Sequence, residues 1–357
     1  MKLSPDESGG DHAEMFRRLI RTHGPISLSR FMGESNARYY AGKDPLGADG
    51  DFVTAPEISQ MFGELIGLWL ADMWIAAGRP QMAHYIELGP GRGTLAKDAL
   101  RSAGRYGLEP SVHLVEGSPV LREIQRAALG PVTFHGDLTS VPADGPLLLV
   151  ANEFLDALPI RQLVRTAHGW RERMVGLHED RLAFVAGDQP MDAAVPPEWQ
   201  DAAEGTLIET CPAAAAVMHE IAARLAAQGG AALLIDYGHA QRRSGSTLQA
   251  VRGHRKVDPL DAPGAADLTA HVDFDTLDSI ARTHDVRLLG TVPQGKWLTG
   301  LGIDMRAEAL ARAAPHLAAQ LQQDKQRLVA DEEMGMLFKV MGLAGPGWPG
   351  GSGFPAD

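Results

Sequence analysis

The clearest chemical pattern in the sequence is the segment YIELGPGRGTL, residues 85–95. It places an acid, Glu87, at the end of a short apolar run, followed by three glycines at alternate positions, Gly89, Gly91 and Gly93. Glycine lets a backbone turn sharply and approach a ligand closely, and a helix start behind such a turn offers unpaired N–H groups. The spacing predicts a strand–turn–helix unit that binds a nucleotide or a ligand carboxylate. Glycines also cap helices, so the motif alone leaves a structural role open.

Polar side chains follow three further apolar runs. Glu116 ends HLVE, Asp137 follows TFHG, and Asn152 with Glu153 follows LLLVA. Ligands of open α/β sheets bind at the carboxyl ends of the strands. Glu116 there can accept hydrogen bonds from ribose hydroxyls, and Asp137 can accept one from an adenine amino group. Each acid alone also fits a solvated loop.

The elements that must position these residues alternate along the chain. The pattern predicts strands at 84–88, 112–116, 132–135 and 147–151, with helices at 94–105 and 119–129. The run LLLVA is typical of a strand buried on both faces of a parallel sheet. Repeated units of this length indicate an α/β fold with a doubly wound, mostly parallel sheet.

The charge at the glycine turn indicates the kind of ligand. The spacing is G-x-G-x-G and not the dinucleotide fingerprint G-x-G-x-x-G. Glu87 beside the turn would repel phosphates but would tolerate an ammonium or sulfonium group. S-adenosylmethionine carries both and has no phosphate, so this residue favours it over NAD. The net charge of −12 argues against a general nucleic-acid binder.

The strand–Glu–G-x-G-x-G–helix unit resembles motif I of class I S-adenosylmethionine-dependent methyltransferases. More specifically, the chain is similar to the MidA-like family, which includes the mitochondrial complex I assembly-factor protein-arginine methyltransferase. The similarity extends from Gly50 to Ile303. Matching segments include GDFVTAPEISQMFGELIGLW (50–69), ELGPGRGTLAKDALR (87–101), VEGSPVLREIQ (115–125) and ANEFLDALPIRQL (151–163). Within them, TAPEISQMFGE and ANEFLDALP are long enough to be specific, whereas GPGRG alone would not be.

The resemblance implies a Rossmann-like class I fold and S-adenosylmethionine as cofactor. It implies cofactor contacts at the three glycines and at two acids, Glu116 and Asp137. It also implies that the segment around Asn152, Glu153 and Asp156 faces the methyl acceptor. It also implies that the N-terminal helix beginning at Thr54 lies over the cofactor pocket, with Glu57, Ser59 and Gln60 near that pocket.

The activity implied by the resemblance is protein-arginine N-methylation of a respiratory complex I subunit. Carboxylates can grip a planar guanidinium in a bidentate way, and our candidates are Glu153 and Asp156. His271, beside Asp267 and Asp273, is a candidate for taking the proton. The alternative is structural: Asp156 caps a turn, Glu153 holds a loop, and Asp273 caps a helix.

The same patterns predict the domain organisation. We expect an N-terminal helical cap over residues 1–80, starting its main helix at a capping box formed by Thr54 and Glu57. The methyltransferase domain is expected at 81–342, with a β-meander insertion at about 160–205 and a long loop at 238–272. That loop carries a basic cluster around His254. The Gly- and Pro-rich tail, 343–357, is expected to be disordered.

The remaining expectations concern compartment and partners. The single cysteine, Cys211, excludes an internal disulfide, and the histidines show no metal-binding spacing. No apolar run is long enough to span a bilayer. We expect a cytoplasmic location for a bacterial chain, the mitochondrial matrix for eukaryotic relatives, and a protein substrate without nucleic acid or stable membrane insertion. Homodimer formation stays open.

Two other functions also stay open. One is a small-molecule methyltransferase of the same fold, and the other is a non-catalytic complex I assembly factor that retains the cofactor pocket.

Overall fold

The computed structural model describes residues 5–42, 54–253 and 255–355. They divide into two compact units. The first, here called the insert unit, consists of the described residues of Met1–Pro45, Asp156–Ala214 and Gln241–Asp273. The second, the sheet unit, consists of those of Leu46–Leu155, Ala215–Ala240 and Phe274–Asp357. Strands and helices are numbered in chain order through both units.

The insert unit contains two small sheets and two helices. Its helices are α1 (Pro5–His23) and α2 (Leu28–Gly42). The strands are β1 (Ile26–Ser27), β6 (Arg161–Thr166), β7 (Gly169–His178), β8 (Arg181–Pro190), β9 (Leu207–Thr210), β11 (Gln249–Arg252), β12 (Arg255–Val257), β13 (Asp267–Thr269) and β14 (Val272–Asp273). One sheet has the order β1-β7-β6-β9, with β8 paired to β7, and the other has the order β12-β11-β13.

The sheet unit is built on seven strands in the order β15-β16-β10-β5-β2-β3-β4. They are β2 (His84–Leu88), β3 (Ser111–Val115), β4 (Thr133–His135), β5 (Leu147–Asn152), β10 (Gly230–His239), β15 (Arg287–Pro293) and β16 (Phe338–Ala344). The five strands from β10 to β4 are parallel, and β16 is antiparallel to both of its neighbours. The predicted mostly parallel sheet is confirmed.

Helices cover this sheet. They are α3 (Ala55–Ile58), α4 (Gln60–Ala76), α5 (Thr94–Gly104), α6 (Pro119–Leu129), α7 (Pro212–Gln228), α8 (Phe274–Ala281), α9 (Gln294–Gly300), α10 (Ile303–Ala313) and α11 (Ala318–Val329). The first three residues of α7 belong to the insert unit. Side chains of α4, α5 and α9 form one core with the buried residues of β5 and β10. None of the helices in the described ranges is long and apolar enough to cross a membrane.

Two contacts fix α4 against its neighbours. A Cβ added to Gly67 would lie 2.1 Å from the carbonyl oxygen of Ala99 on α5, so the two helix backbones touch there. The buried carboxylate of Glu64 accepts hydrogen bonds from Arg306 on α10 at 2.7 and 2.8 Å and from Arg101 on α5 at 3.0 Å. Burial raises the pKa of Glu64, but the two guanidinium groups outweigh it and leave the pKa below its usual value.

A row of three buried histidines crosses the parallel strands. His113 Nε2 lies 3.0 Å from His84 Nδ1, and His113 Nδ1 lies 3.0 Å from His135 Nε2. Asp144 ends the row on one side, 2.9 Å from His84, and Ser140 ends it on the other, 2.9 Å from His135. Burial and the two neighbouring imidazoles lower the pKa of His113 to about 4, so its ring is neutral at pH 7.

The predicted helix start at Thr54 needs correction. The helix breaks at Ser59, whose backbone is extended, so that α3 and α4 are separate. Thr54 is the N-cap residue of α3 but makes no side-chain cap bond. The hydroxyl of Ser59 accepts instead from Met61 N at 3.4 Å. Glu57 accepts from the hydroxyl of Thr94 at 2.5 Å and does not close a capping box.

The expected single cap over residues 1–80 is also wrong, because its described residues are shared between the two units. Helices α1 and α2 pack in the insert unit, where Phe16, Ile20 and Phe31 form a core with Val175 of β7. Sequence periodicity does not show which sheet an amphipathic helix covers.

The expected long loop at 238–272 contains three strands, β11 to β13. Strand β11 pairs with both of the others, which buries Ala250 and Leu268. The expected basic cluster flanks the β11–β12 turn, and His254 lies outside the described residues. The three short strands expected between 162 and 185 lie within β6, β7 and β8.

The tail is ordered through residue 355, contrary to the expected disorder. Strand β16 continues to Ala344. Beyond it, the ring of Phe354 contacts Trp69 and Trp297, each with a centroid distance of 6.2 Å. The indole of Trp69 also donates to the carbonyl of Ser352 at 3.1 Å. A few aromatic contacts thus hold a segment whose composition is typical of a flexible one.

Candidate functional site

The carboxyl ends of five parallel strands of the sheet unit form one edge. Backbone hydrogen bonds continue past the strands and align their ends: Gly89 N donates to Val115 O, Glu116 N to His135 O, and Glu153 N to Ile235 O. These bonds measure 3.0, 3.2 and 2.9 Å. The edge therefore brings together the glycine turn and Glu116, Asp137, Asn152 and Glu153, as the sequence predicts.

The glycine turn has the conformation that its sequence predicts. Gly89, Gly91 and Gly93 have φ angles of +62°, +56° and +81°, which L side chains rarely adopt. A Cβ on Gly89 would also lie 2.8 Å from the ring of Phe154. Gly93 is the N-cap residue of α5, so the turn leads directly to the unpaired N–H groups of a helix N-terminus.

Glu87 lies at the base of this turn, 3% exposed. Its carboxyl group accepts a hydrogen bond from the hydroxyl of Tyr85 at 2.6 Å. Burial raises the pKa of Glu87 from 4.5 to about 8, against the smaller opposing effect of bonds from Tyr85 and the Ala96 backbone. The group is therefore neutral at pH 7 in the free protein, and a nearby cation would favour its ionised form.

Glu116 follows β3 and is 9% exposed. One carboxylate oxygen accepts from Ser118 N at 2.7 Å, and the other accepts from the side-chain amide of Gln125 at 3.2 Å. Burial raises the pKa of Glu116, and these two hydrogen bonds partly offset that effect. The same Gln125 amide donates to the carbonyl of Gly91 at 2.6 Å, which joins the carboxylate to the glycine turn.

Asp137 follows β4 and is exposed. Its Oδ1 accepts from the hydroxyl of Thr139 at 2.6 Å and from Thr139 N at 3.0 Å, and the hydroxyl bond is the main cause of its lowered pKa. Arg122 fixes the neighbouring strand ends, since it donates to Glu116 O at 2.7 Å and to His135 O at 3.1 Å.

Glu153 follows β5 with a φ of +49°, a conformation rarely adopted by residues other than glycine. Its Oε1 accepts from Asn152 Nδ2 at 3.2 Å and from Ala55 N, at the start of α3, at 3.0 Å. Glu153 therefore holds the start of α3, whereas the structural alternative expects it to hold a loop. Strained positions of this kind cluster at functional sites, so a role toward the methyl acceptor stays a prediction.

Asp236, three residues before the end of β10, is a further acid that the sequence patterns above do not single out. It is 1% exposed, and its two oxygens accept from Leu155 N at 3.0 Å and Tyr237 N at 2.9 Å. It thereby fixes the loop that contains Glu153. The signal was present, because Asp236 ends the apolar run AALLID as Glu116 ends HLVE.

The three residues expected near the cofactor from the N-terminal segment have different surroundings. Glu57 accepts from Thr94, the first residue of α5, and so lies beside the glycine turn. Ser59 caps α4. Gln60 Nε2 lies 3.5 Å from Glu64 within the same helix. Of these three, Glu57 is the residue that the structure brings to the glycine turn.

Two of the candidate catalytic residues, Asp156 and His271, belong to the insert unit. Asp156 is 7% exposed, and its carbonyl accepts from Ala270 N at 3.0 Å. His271 N donates to the hydroxyl of Thr247 at 2.9 Å. In the same unit Tyr40 donates to Asp267 at 3.0 Å, and burial together with the carboxylates of Asp267 and Asp156 raises the Tyr40 pKa well above its usual value. The catalytic roles of Asp156 and His271 stay predictions.

The edge fits S-adenosylmethionine in three respects. The glycine turn leaves room for backbone N–H groups to approach a ligand carboxylate. The buried Glu87 suits an ammonium or sulfonium group, and the held carboxylate of Glu116 suits ribose hydroxyls. Among the described side chains, no group of three or more histidines, cysteines or acids is placed to hold a metal ion.

Comparisons with known proteins agree with this fit. Residues 65–292 match a family model described as "Putative S-adenosyl-L-methionine-dependent methyltransferase". The mitochondrial protein arginine methyltransferase NDUFAF7 of Xenopus tropicalis is 38% identical over 91% of this chain and 83% of its own length. The human protein of the same name is 36% identical over 94% of this chain and 86% of its own length.

A solved structure extends the agreement to nearly the whole chain. A Burkholderia thailandensis protein with bound S-adenosyl-homocysteine superimposes with a TM-score of 0.85 and 28% identity, covering 99% of this chain and 96% of that one. A native structure from the same organism gives a TM-score of 0.81 at 29% identity, covering 98% and 95%. From its family match and these relatives, the chain belongs to the family of S-adenosyl-L-methionine-dependent methyltransferases.

Proposed function

We propose that this protein is a protein-arginine N-methyltransferase whose cofactor binds at the carboxyl edge of the sheet unit. The observation that supports the site most strongly is the joining of the glycine turn to the Glu116 carboxylate through a single buried amide. The names of the relatives, which are 36–38% identical over most of the chain, support arginine as the acceptor.

In this proposal the chain's own groups bind and orient the cofactor. Glu116 accepts hydrogen bonds from the ribose hydroxyls, and Asp137 with the turn behind it receives the adenine. Glu87 lies under the positively charged amino-acid end, and the N–H groups at the start of α5 hold its carboxylate. When bound, the cofactor supplies a methyl group on a sulfonium, and the protein aligns the acceptor and excludes water.

The acceptor side rests on residues that the sequence singled out. Asn152 ends β5 and Glu153 follows it at the same edge, where Asp236 fixes the loop that contains Glu153. A guanidinium must lose a proton as its nitrogen is methylated, so a carboxylate or a histidine is needed nearby. Glu153, Asp156 and His271 are the residues that we propose for gripping the guanidinium and taking that proton.

The test is a methylation assay on protein substrates. The purified protein is incubated with S-adenosylmethionine labelled in its methyl group and with respiratory complex I subunits, the substrate class implied by the family resemblance. The proposal expects labelled methylarginine after acid hydrolysis, and no label with the Glu116→Gln variant.

Other outcomes would support the two remaining functions. Label confined to small molecules of a lysate would indicate a small-molecule methyltransferase. Cofactor binding without any methylated product, combined with normal complex I assembly by a Glu153→Gln variant in cells, would indicate a non-catalytic assembly factor.

The relatives are named mitochondrial. A cytoplasmic location of this chain stays a prediction that cell fractionation can test. Homodimer formation stays a prediction that light scattering can test.

A further inference from the structure

Gln125 on α6 is a fully buried polar residue that neither the glycine motif nor the strand-end acids account for. Its side-chain Nε2 donates to the carbonyl of Gly91 at 2.6 Å and to Glu116 Oε2 at 3.2 Å. An amide nitrogen has two hydrogens, and here both have a partner. The two partners belong to two different cofactor-binding elements, the glycine turn and the end of β3.

The chemistry of these contacts requires a side chain that donates two hydrogen bonds. Both acceptors are oxygens without hydrogen, so the amide must present its nitrogen to them. A lysine would neutralise Glu116, and a leucine or methionine would fill the space but leave Gly91 O and one carboxylate oxygen without this donor. Packing alone therefore does not explain glutamine here. The Gln125 Cγ also lies within 3.7 Å of where a Cβ on Gly93 would be, so the residue fits closely behind the turn.

These bonds restrict how Glu116 can present its carboxylate. A carboxylate has about four acceptor sites, and Ser118 N and Gln125 each occupy one from opposite oxygens. The side chain is thus held in one rotamer before any ligand arrives. Fixing a binding group in advance removes the entropy cost of ordering it on binding.

We propose that Gln125 is a positioning residue for the ribose: it locks the Glu116 carboxylate and couples it to the glycine turn. The inference rests on the assignment of Glu116 to the ribose hydroxyls under the proposed function. Its consequence is specific: loss of the amide should weaken the binding of ligands that have ribose hydroxyls, because only the contacts to those hydroxyls depend on Gln125.

The experiment compares two ligands by titration calorimetry: S-adenosylhomocysteine and its analogue with a 2′,3′-dideoxyribose. In the Gln125→Met variant, which keeps the side-chain length, we expect about tenfold weaker binding of S-adenosylhomocysteine, equivalent to about 1.4 kcal/mol. The affinity for the dideoxy analogue should decrease less than twofold. The matched control is Gln320→Met, the same exchange on the exposed face of α11, which should change neither affinity.

A double variant separates an effect that acts through Glu116 from a general loss of structural order at the site. If Gln125 acts through Glu116, Gln125→Met should weaken S-adenosylhomocysteine much less in a Glu116→Gln background than in the wild type. Equal losses for both ligands, or the same loss in both backgrounds, would show a purely structural role and overturn the inference. An unchanged affinity for S-adenosylhomocysteine would overturn it too.

A second variant covers the case in which Gln125→Met does not fold. Gln125→Glu places an additional carboxyl group beside Glu116, and two adjacent carboxylates repel when both are ionised. Its affinity for S-adenosylhomocysteine relative to the wild type should therefore fall as pH rises from 5 to 8, and a constant ratio would contradict the inference. Failure of the wild type to bind S-adenosylhomocysteine would instead contradict the proposed function itself.

Discussion

Replacing Glu87 by glutamine should change how the stability of the protein depends on pH. The carboxyl group is 3% exposed and titrates at about 8 in the folded chain, because burial penalises its charged form. In the unfolded chain it titrates near 4.5. Glutamine has nearly the same size, can still accept the hydrogen bond from Tyr85, and is neutral at every pH.

The sign and size follow from these two pKa values. Between pH 4.5 and 8 the folded chain binds a proton at Glu87 that the unfolded chain has lost, so stability decreases as pH rises. The contribution of the Glu87 proton to the free energy of unfolding is fully present below pH 4.5 and is lost as pH rises through the folded pKa of about 8. Each pH unit is worth about 1.4 kcal/mol, which gives about 5 kcal/mol over the whole interval.

The assay is urea denaturation of the wild type and of Glu87→Gln at pH 5, 6, 7 and 8. We expect the free energy of unfolding of the variant, relative to the wild type, to increase by about 1.4 kcal/mol per pH unit. Glu109→Gln, an exposed position before β3, is the control and should give no such slope. A difference between Glu87→Gln and the wild type that does not vary with pH would refute the reasoning.

The same proton links Glu87 to cofactor binding. A cation bound beside the neutral carboxyl group should ionise it, so at pH 7 up to one proton should leave per molecule of S-adenosylmethionine bound. Calorimetry in buffers of different ionisation enthalpy measures this release. Equal proton release by the wild type and by Glu87→Gln would place the cation elsewhere.

Three further variants test the contacts that support the site. Gly67→Ala forces a Cβ to within 2.1 Å of Ala99 O, so we expect a loss of about 3 kcal/mol by denaturation; an unchanged melting temperature would mean that α4 and α5 do not touch. Glu64→Gln removes the charge that Arg306 binds and should cost about 2 kcal/mol at pH 7. That cost should decrease as pH falls from 4.5 through the lowered folded pKa, because a depressed carboxyl pKa contributes its full stability only above the unfolded value of 4.5. A cost independent of pH would contradict the ion pair. His113→Gln should reduce the decrease in unfolding free energy between pH 6.5 and 4, because in this range the unfolded chain binds a proton at His113 that the folded chain does not. If the variant and the wild type lose the same unfolding free energy on acidification, His113 is not a buried neutral ring.

The central sheet could be predicted because each of its strands carries its own local signal. Strand β5 is paired on both sides, with β2 and with β10, and all six of its residues are buried. Full burial requires a continuous apolar run, and LLLVA is one. The glycine turn could be predicted for a similar reason, since its conformation depends on the three glycines themselves.

The insert unit could not be predicted in the same way, because its contacts join distant parts of the chain. Phe16 and Phe31 pack with Val175 and Leu268, which lie more than a hundred residues later. The tail shows the same limitation. Phe354 is ordered by Trp69 and Trp297, and no local pattern around residue 354 indicates those partners.

Among the site residues, Gln125 illustrates what a single sequence lacks. One glutamine in an amphipathic helix is typical of a solvent-facing position. It becomes a buried donor because the fold brings α6 behind both Gly91 and Glu116. Asp236 was accessible in principle, since it follows an apolar strand as Glu116 does.

A crystal structure of the protein with bound S-adenosylhomocysteine is the most direct measurement. We expect the ribose hydroxyls to lie within hydrogen-bond distance, about 3 Å, of the Glu116 carboxylate, with the amino-acid end over the turn from Gly89 to Gly93. An adenosine bound away from this edge, or a Glu116 side chain turned from the ribose, would contradict the account.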